Sequence, residues 1–349
     1  MSAHNPSFDP SGVGIKNGNI FGFPYHLDSS ELVIIPVPWD VTTSYQAGTS
    51  NAPKAILDAS VQLDFVDLYV EKAWESKIYM HPVPEDILEE SRSLREMAAQ
   101  HIHFLENGGA IAKDPVQLDV VKKINQGSAK MNQWLFDLSK ELLFKGKQVC
   151  VLGGDHSSPL GYMKAIASQH DSFGLLHIDA HADLRVAYED FEYSHASIMH
   201  NALKIPELSK LVQVGIRDLS PDEKQRIKED ERIQVFYDHD IKKASFSGKD
   251  WQQQCREIVA ALPEKVYISF DIDGLDPKLC PNTGTPVPGG FEMEEVFFLF
   301  HAILGSGKKI IGFDLCEVNP DEKTDWNENV GARVLFRLCA LLLKSKAIS

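Results

Sequence analysis

Leu176-His177-Ile178-Asp179-Ala180-His181-Ala182-Asp183 decides the reading of this chain. An apolar run gives way to three residues of metal-ligating type, Asp179, His181 and Asp183, at every second position. On an extended backbone all three side chains leave the same face. Two stretches of similar build lie on either side of it, Gly153-Gly154-Asp155-His156-Ser157 and Ser269-Phe270-Asp271-Ile272-Asp273-Gly274. Each closes an apolar, β-branched run, which is where an open parallel α/β sheet places its ligand site. If the three stretches converge, His156, Asp179, His181, Asp183, Asp271 and Asp273 bring two imidazoles and four carboxylates to one spot.

Outward from these stretches the pattern alternates. Strands are expected at 32–37, 77–80, 148–152, 173–178, 211–214, 233–236, 266–270 and 309–316, and helices at 86–107, 115–144, 159–169, 196–203, 221–231, 251–262, 292–304 and 331–344. A further helix is expected after Asn51-Ala52-Pro53, with Asn51 as its cap and Pro53 in its first turn. Apolar strands alternating with helices indicate an α/β fold with a mainly parallel sheet covered on both faces. There is no internal repeat or compositional break, so residues 32–349 read as a single domain preceded by an N-terminal arm, residues 1–31.

The bulk composition narrows the function classes. With 349 residues and a formal net charge of −15, the chain is an unlikely match for nucleic acid and a tolerant one for a small cation. Five widely spaced cysteines, an odd number without a CxxC pair, do not suggest a disulfide framework, and a reducing, cytoplasmic location fits them. The N-terminus lacks the basic and apolar regions of a signal peptide, and no apolar run is long enough to span a membrane.

Four carboxylates in one cleft repel one another, and some must take up protons unless cations are present. Two divalent metal ions would cancel their charge, and metals lower the pKa of bound water from 15.7 to about 7. Carboxylate and imidazole ligands without thiolate suit Mn2+ and accept Ni2+, Co2+, Fe2+ or Zn2+. His177 is read as a core or supporting residue, and Asp155 as a group that orients a ligand.

The three stretches, extended to Ser269–Pro277, resemble the signatures of the ureohydrolases, the family of arginase, agmatinase and related amidinohydrolases. Asn282–Gly290 is similar to the family's following loop and Gly312–Pro320 to its last strand; residues 64–115 match least well. The resemblance implies a three-layer αβα, arginase-like fold and a binuclear manganese site that hydrolyses a guanidino group to release urea. It places His156, Asp179, Asp183 and Asp271 on one ion or bridging, with His181 and Asp273 completing the pair. It makes Glu317 the acid that grips the guanidinium and His195 the loop histidine that moves protons. It also implies a homo-oligomer, a trimer or hexamer.

The residues between the second signature and His195 depart from the arginase pattern and look like those of agmatinases. Glu189, Asp190 and Glu192 are expected at the mouth of the site, where they would attract the terminal ammonium of a small cationic guanidino substrate such as agmatine. Tyr188, Phe191 or Trp326 would close the pocket around free guanidine. Guanidinobutyrate, arginine and formimidoylglutamate are the other candidate substrates. A metal-dependent deacetylase and a non-catalytic binding or assembly module are the readings from other classes.

Overall fold

The computed structural model describes residues 8–347; the first seven residues of the expected arm and the last two of the expected domain lie outside the described residues. The strands are β1 (Leu32–Pro36), β2 (Ile78–Met80), β3 (Gln148–Leu152), β4 (Phe173–Ile178), β5 (Leu208–Val214), β6 (Ile233–Phe236), β7 (Lys265–Asp271) and β8 (Lys309–Cys316). The helices are α1 (Ala52–Ala59), α2 (Glu85–Glu106), α3 (Pro115–Phe144), α4 (Leu160–Ala167), α5 (Ile198–Ala202), α6 (Pro221–Glu229), α7 (Asp238–Phe246), α8 (Trp251–Ala261), α9 (Met293–Gly305) and α10 (Trp326–Ala347). The strands form one eight-stranded sheet in the order β2-β1-β3-β8-β7-β4-β5-β6, and every pairing in it is parallel.

The side-chain period of two sorts the strands onto two apolar layers. Ile34, Leu152, Ile178, Val214, Phe270 and Leu315 face the layer that holds α8, α9 and α10. Val33, Ile35, Val151, Leu175 and Leu211 face the layer that holds α2, α3, α4 and α5. The result is the three-layer αβα arrangement, with the sheet buried on both sides. Full burial of each Leu, Ile, Val or Phe contributes roughly 1.5–3 kcal/mol.

Three local expectations are corrected. Asn51 does not cap α1: its side-chain amide donates to the Gly48 carbonyl, and a 3-10 turn over Thr49–Asn51 leads into the helix instead. Helix α7 is absent from the expected elements, because it buries only Asp238 and Ile241 and so carries almost no apolar period. The helix expected at 331–344 is part of a longer one, α10, which starts at Trp326 within Asp325–Asn329, a stretch that itself reads as a helix start. In the segment before β1, Ile20, Phe21 and Phe23 are buried in the core, and the Asn19 amide donates to the carbonyls of Phe23, Tyr25 and Ile78.

Candidate active site

Four adjacent central strands, β3, β8, β7 and β4, end at one place. The chain leaving β3 presents His156, that leaving β4 presents Asp179, His181 and Asp183, the end of β7 presents Asp271 and Asp273, and the residue after β8 is Glu317. A side chain on Gly154 would meet the Trp39 carbonyl at 2.1 Å, so the turn after β3 requires glycine there.

The six expected ligands come together in two groups that share Asp179. In the first, His156 Nδ1 lies 3.1 Å from Asp179 Oδ2, 3.2 Å from Asp183 Oδ2 and 3.2 Å from Asp271 Oδ2. In the second, His181 Nδ1 lies 3.0 Å from Asp273 Oδ2 and 3.5 Å from the other Asp179 oxygen, Oδ1. On the far side of the His156 ring, Nε2 meets Ser269 Oγ at 2.9 Å, and that hydroxyl donates to Asp314 Oδ1 at 3.0 Å. Ser269 therefore accepts from Nε2–H, so the neutral imidazole turns its Nδ1 lone pair toward three carboxylate oxygens. A lone pair facing three anionic oxygens is repulsive, and a cation between them makes it attractive. The donor set fits a divalent metal.

The electrostatics carry the same message. Burial pushes Asp183 up to about 7, with the Asp179 charge adding to the rise. Burial followed by the charges of Asp273 and Asp179 lifts Asp271 well above the usual carboxylate range. Burial alone would lower His156, but hydrogen bonds with Asp179, Asp183 and Asp271 override it and hold the imidazole well above its ordinary value. Without cations, the cluster keeps itself together by retaining protons.

Two site residues sit in the left-handed backbone region although neither is glycine: Asp183 at φ 52° and Glu317 at φ 64°. The extended backbone assumed for Asp179–Asp183 therefore breaks at Asp183, whose carboxylate reaches His156 from a left-handed residue. Glu317 Oε1 accepts from the His156 backbone N–H at 2.9 Å. Its Oε2 is buried without a partner and faces Gly284, where a Cβ would stand 2.7 Å from it. Burial, with the Asp155 charge next, pushes the Glu317 carboxyl well above its usual range.

Beside the cluster lies a cavity of about 350 Å³, whose lining includes His181, Asp183, His195, Arg185, Tyr188 and Asp218. The His195 backbone N–H donates to Thr42 Oγ1 at 3.1 Å, and Thr42 in turn donates to Asp155 Oδ2 at 3.1 Å. Burial, followed by the His181 charge, lowers His195 to about 3. Asp155 thus supports His195 through Thr42 and does not touch a ligand side chain, a correction to its expected role. His177 does orient a ligand, through Nε2 at 2.7 Å from Asp179 Oδ2.

The expected mouth is also corrected. Glu189, Asp190 and Glu192 do not line the cavity; the turn at residues 189–190 carries Glu189 and Asp190 toward α2. Phe191 is wholly buried in the core, and Trp326 donates to the Lys278 carbonyl, so of the three aromatic candidates only Tyr188 lines the cavity. Sequence reasoning gave no role to Ser269, Asp314 or Thr42. The available signal was Asp314 itself, an acid inside an otherwise apolar strand that must be paired when buried. Both Tyr267 Oη, at 2.7 Å, and Ser269 donate to it.

Residues 30–341 match the model of the Arginase family. The chain is 33% identical over 304 residues to an N(1)-aminopropylagmatine ureohydrolase of Thermus thermophilus, covering 85% of each chain. It is 30% identical to the agmatinase of Proteus mirabilis, covering 94% of this chain and 95% of that one. Its fold is similar to the crystal structure of the agmatine ureohydrolase of Thermoplasma volcanium, with a TM-score of 0.67, 22% identity and coverage of 92% and 93%.

Proposed function

The chain belongs to the arginase family and is a hydrolase of linear amidine C–N bonds; on that premise we propose that it converts agmatine to putrescine and urea. The observation that carries the reading is Glu317 Oε2, a buried acceptor without a partner next to the shared-Asp179 donor set. Such an oxygen matches the N–H edge of a guanidinium.

His156, Asp179, Asp183 and Asp271 would hold one divalent ion, and Asp179, His181 and Asp273 the other, with Mn2+ favoured by the oxygen and nitrogen donors. When bound, the ions neutralise the carboxylates and supply a water that ionises near neutral pH. Glu317 holds the guanidinium so that its carbon faces that water. The oxygen of the water bonds to that carbon as the C–N bond to the alkyl amine breaks, which leaves urea, and the departing nitrogen takes up the water's proton by way of His195 Nε2, the ring nitrogen with no hydrogen-bond partner among the described residues. Thr42 and Asp155 fix the position of His195 for that transfer.

The cationic tail is supported by Asp218, a cavity-lining carboxylate that has no ion pair or side-chain hydrogen bond among the described residues. The Arg185 guanidinium on the same wall is already stacked on the Tyr188 ring at 4.6 Å and lies 3.9 Å from Glu223 Oε2. A second reading is N1-aminopropylagmatine, favoured by the Thermus relative and by the exposed rim at Tyr45. The five buried free thiols support a cytoplasmic location.

Urea release from agmatine, N1-aminopropylagmatine, arginine, guanidine and 4-guanidinobutyrate, each with Mn2+ or Ni2+ loading, tests the assignment. Agmatine is expected to give the highest kcat/KM. A higher value for another compound replaces the substrate, and urea from none of them under any metal overturns the activity.

A further inference from the structure

Among the described residues, the α2–α3 hairpin contributes no side chain to the donor cluster or to the cavity lining. Helix α2 nevertheless touches both loops that wall the cleft. The Asp40 backbone N–H donates to Ser91 Oγ at 3.2 Å, and Arg95 Nη1 donates to the Val41 carbonyl at 3.2 Å and to that of Thr43. Further along the helix, His101 is completely buried. Its Nε2 meets the Glu189 carbonyl at 3.1 Å, and its Nδ1 meets Gln117 Oε1 of α3 at 2.7 Å.

The loop that His101 grips is strained. Tyr188 and Phe191 pair as an antiparallel bridge, with backbone N–H···O distances of 3.3 and 2.9 Å in the two directions. Between them Glu189 has φ 53° and Asp190 φ 66°. Positive φ at both central residues is the geometry of a type I′ turn, which strongly prefers Asn-Gly and disfavours a Glu at its first position. Glu189 Oε2 is also buried without a partner, and burial raises that carboxyl to about 7. Such a turn persists only where its surroundings over-determine it. Besides His101, the clamps are Asn125 of α3, whose amide donates to the Asp190 carbonyl at 3.5 Å and accepts from the Glu192 N–H at 2.9 Å, and Asn201, which donates to the Glu192 carbonyl at 2.8 Å. The product of this arrangement is the placement of Tyr188, which lines the cavity, carries the Arg185 stack and lies edge-on to His195 with ring centroids 6.2 Å apart.

We infer that His101 and Asn125 are positioning residues for the reaction: the α2–α3 hairpin holds the disfavoured 188–191 turn in place, and the turn sets the substrate-facing wall formed by Tyr188 and Arg185. The kinetic part of this inference rests on the proposed function; the structural part does not. The clamp is needed because the turn sequence is wrong for its shape, so correcting the sequence removes the need for the clamp.

The test is a rescue. H101A and N125A are made alone and combined with E189N/D190G, which gives the turn its preferred residues. Each single variant is expected to raise KM for agmatine about tenfold while kcat changes less than about twofold, and E189N/D190G is expected to restore KM in both backgrounds. In parallel, tryptic cleavage after Arg185, followed by mass spectrometry, reads the order of the loop without any assay of turnover. Cleavage should accelerate in H101A and N125A and return to the wild-type rate with E189N/D190G. If H101A does not fold, N125A carries both readouts. Unchanged cleavage and KM in the single variants, or losses that E189N/D190G does not reverse, overturn the inference. Wild-type protein that releases no urea but shows the expected cleavage pattern overturns the proposed activity and supports the clamp.

Discussion

Glu317 divides its carboxylate between two tasks, one oxygen fixed on the His156 amide and the other left free in a buried position. E317Q keeps the shape and the first contact but loses the charge that matches a guanidinium. Urea release is expected to fall by roughly 100- to 1000-fold with metal content unchanged; turnover at the wild-type rate would remove Glu317 from the reaction. Asp271 belongs to the donor set, so D271A is expected to lower metal occupancy, measured by elemental analysis, and an intact pair of ions would contradict its assignment. Ser269 and Asp314 act one step further out, by fixing which nitrogen of His156 carries the hydrogen. S269A is expected to weaken metal binding about 10- to 100-fold, read by competition with a chelator. The convergence of the six side chains was legible in the sequence because each stretch that carries them closes an apolar run. The contacts made by Thr42 were not: its partners Asp155 and His195 are far away in the chain, and nothing in a lone Thr-Thr pair distinguishes it from any loop.

At the level of single elements, apolar period decided what was readable. Strands β3, β4 and β8 start and stop where expected, because a parallel strand buried on both faces is a continuous apolar run. Polar α7 was invisible for the opposite reason. The end of β4 shows a different limit: alternation predicted that Asp183 would share the face of Asp179, whereas a left-handed backbone at Asp183 itself delivers the carboxylate there. Helix α9 offers a test of electrostatics away from the metal cluster. His301 stacks on Tyr69 with ring centroids 3.7 Å apart, and burial lowers its pKa to about 4. In the unfolded chain it titrates near 6.5. Between those values the unfolded state binds the extra proton, so the contribution of His301 to stability is complete above pH 6.5 and is lost as pH falls toward 4. His301 is half-buried, so solvent screening reduces the effect to about 1 kcal/mol. Denaturant midpoints of metal-free wild type and H301Q, compared at pH 7.5 and pH 5, should show the variant losing less stability on acidification; parallel losses would exclude His301 as a source.

On the scale of the whole molecule, an eight-stranded parallel sheet brings four neighbouring strand ends together, and the chain meets at that place from positions more than a hundred residues apart. Alternating strand and helix patterns were enough to read that architecture. They could not order the strands, since order depends on which crossovers pack and not on any local period. They also gave no role to residues 64–115, whose helix α2 reaches the cleft through single side chains and backbone carbonyls. The proposed activity requires cations in both of two donor groups that one carboxylate, Asp179, joins. Metal content and urea release measured on the same preparation test this most directly. Protein stripped by a chelator and reloaded with Mn2+ is predicted to regain agmatine hydrolysis as occupancy approaches two ions per chain. Full urea release from protein that holds no transition metal would contradict it.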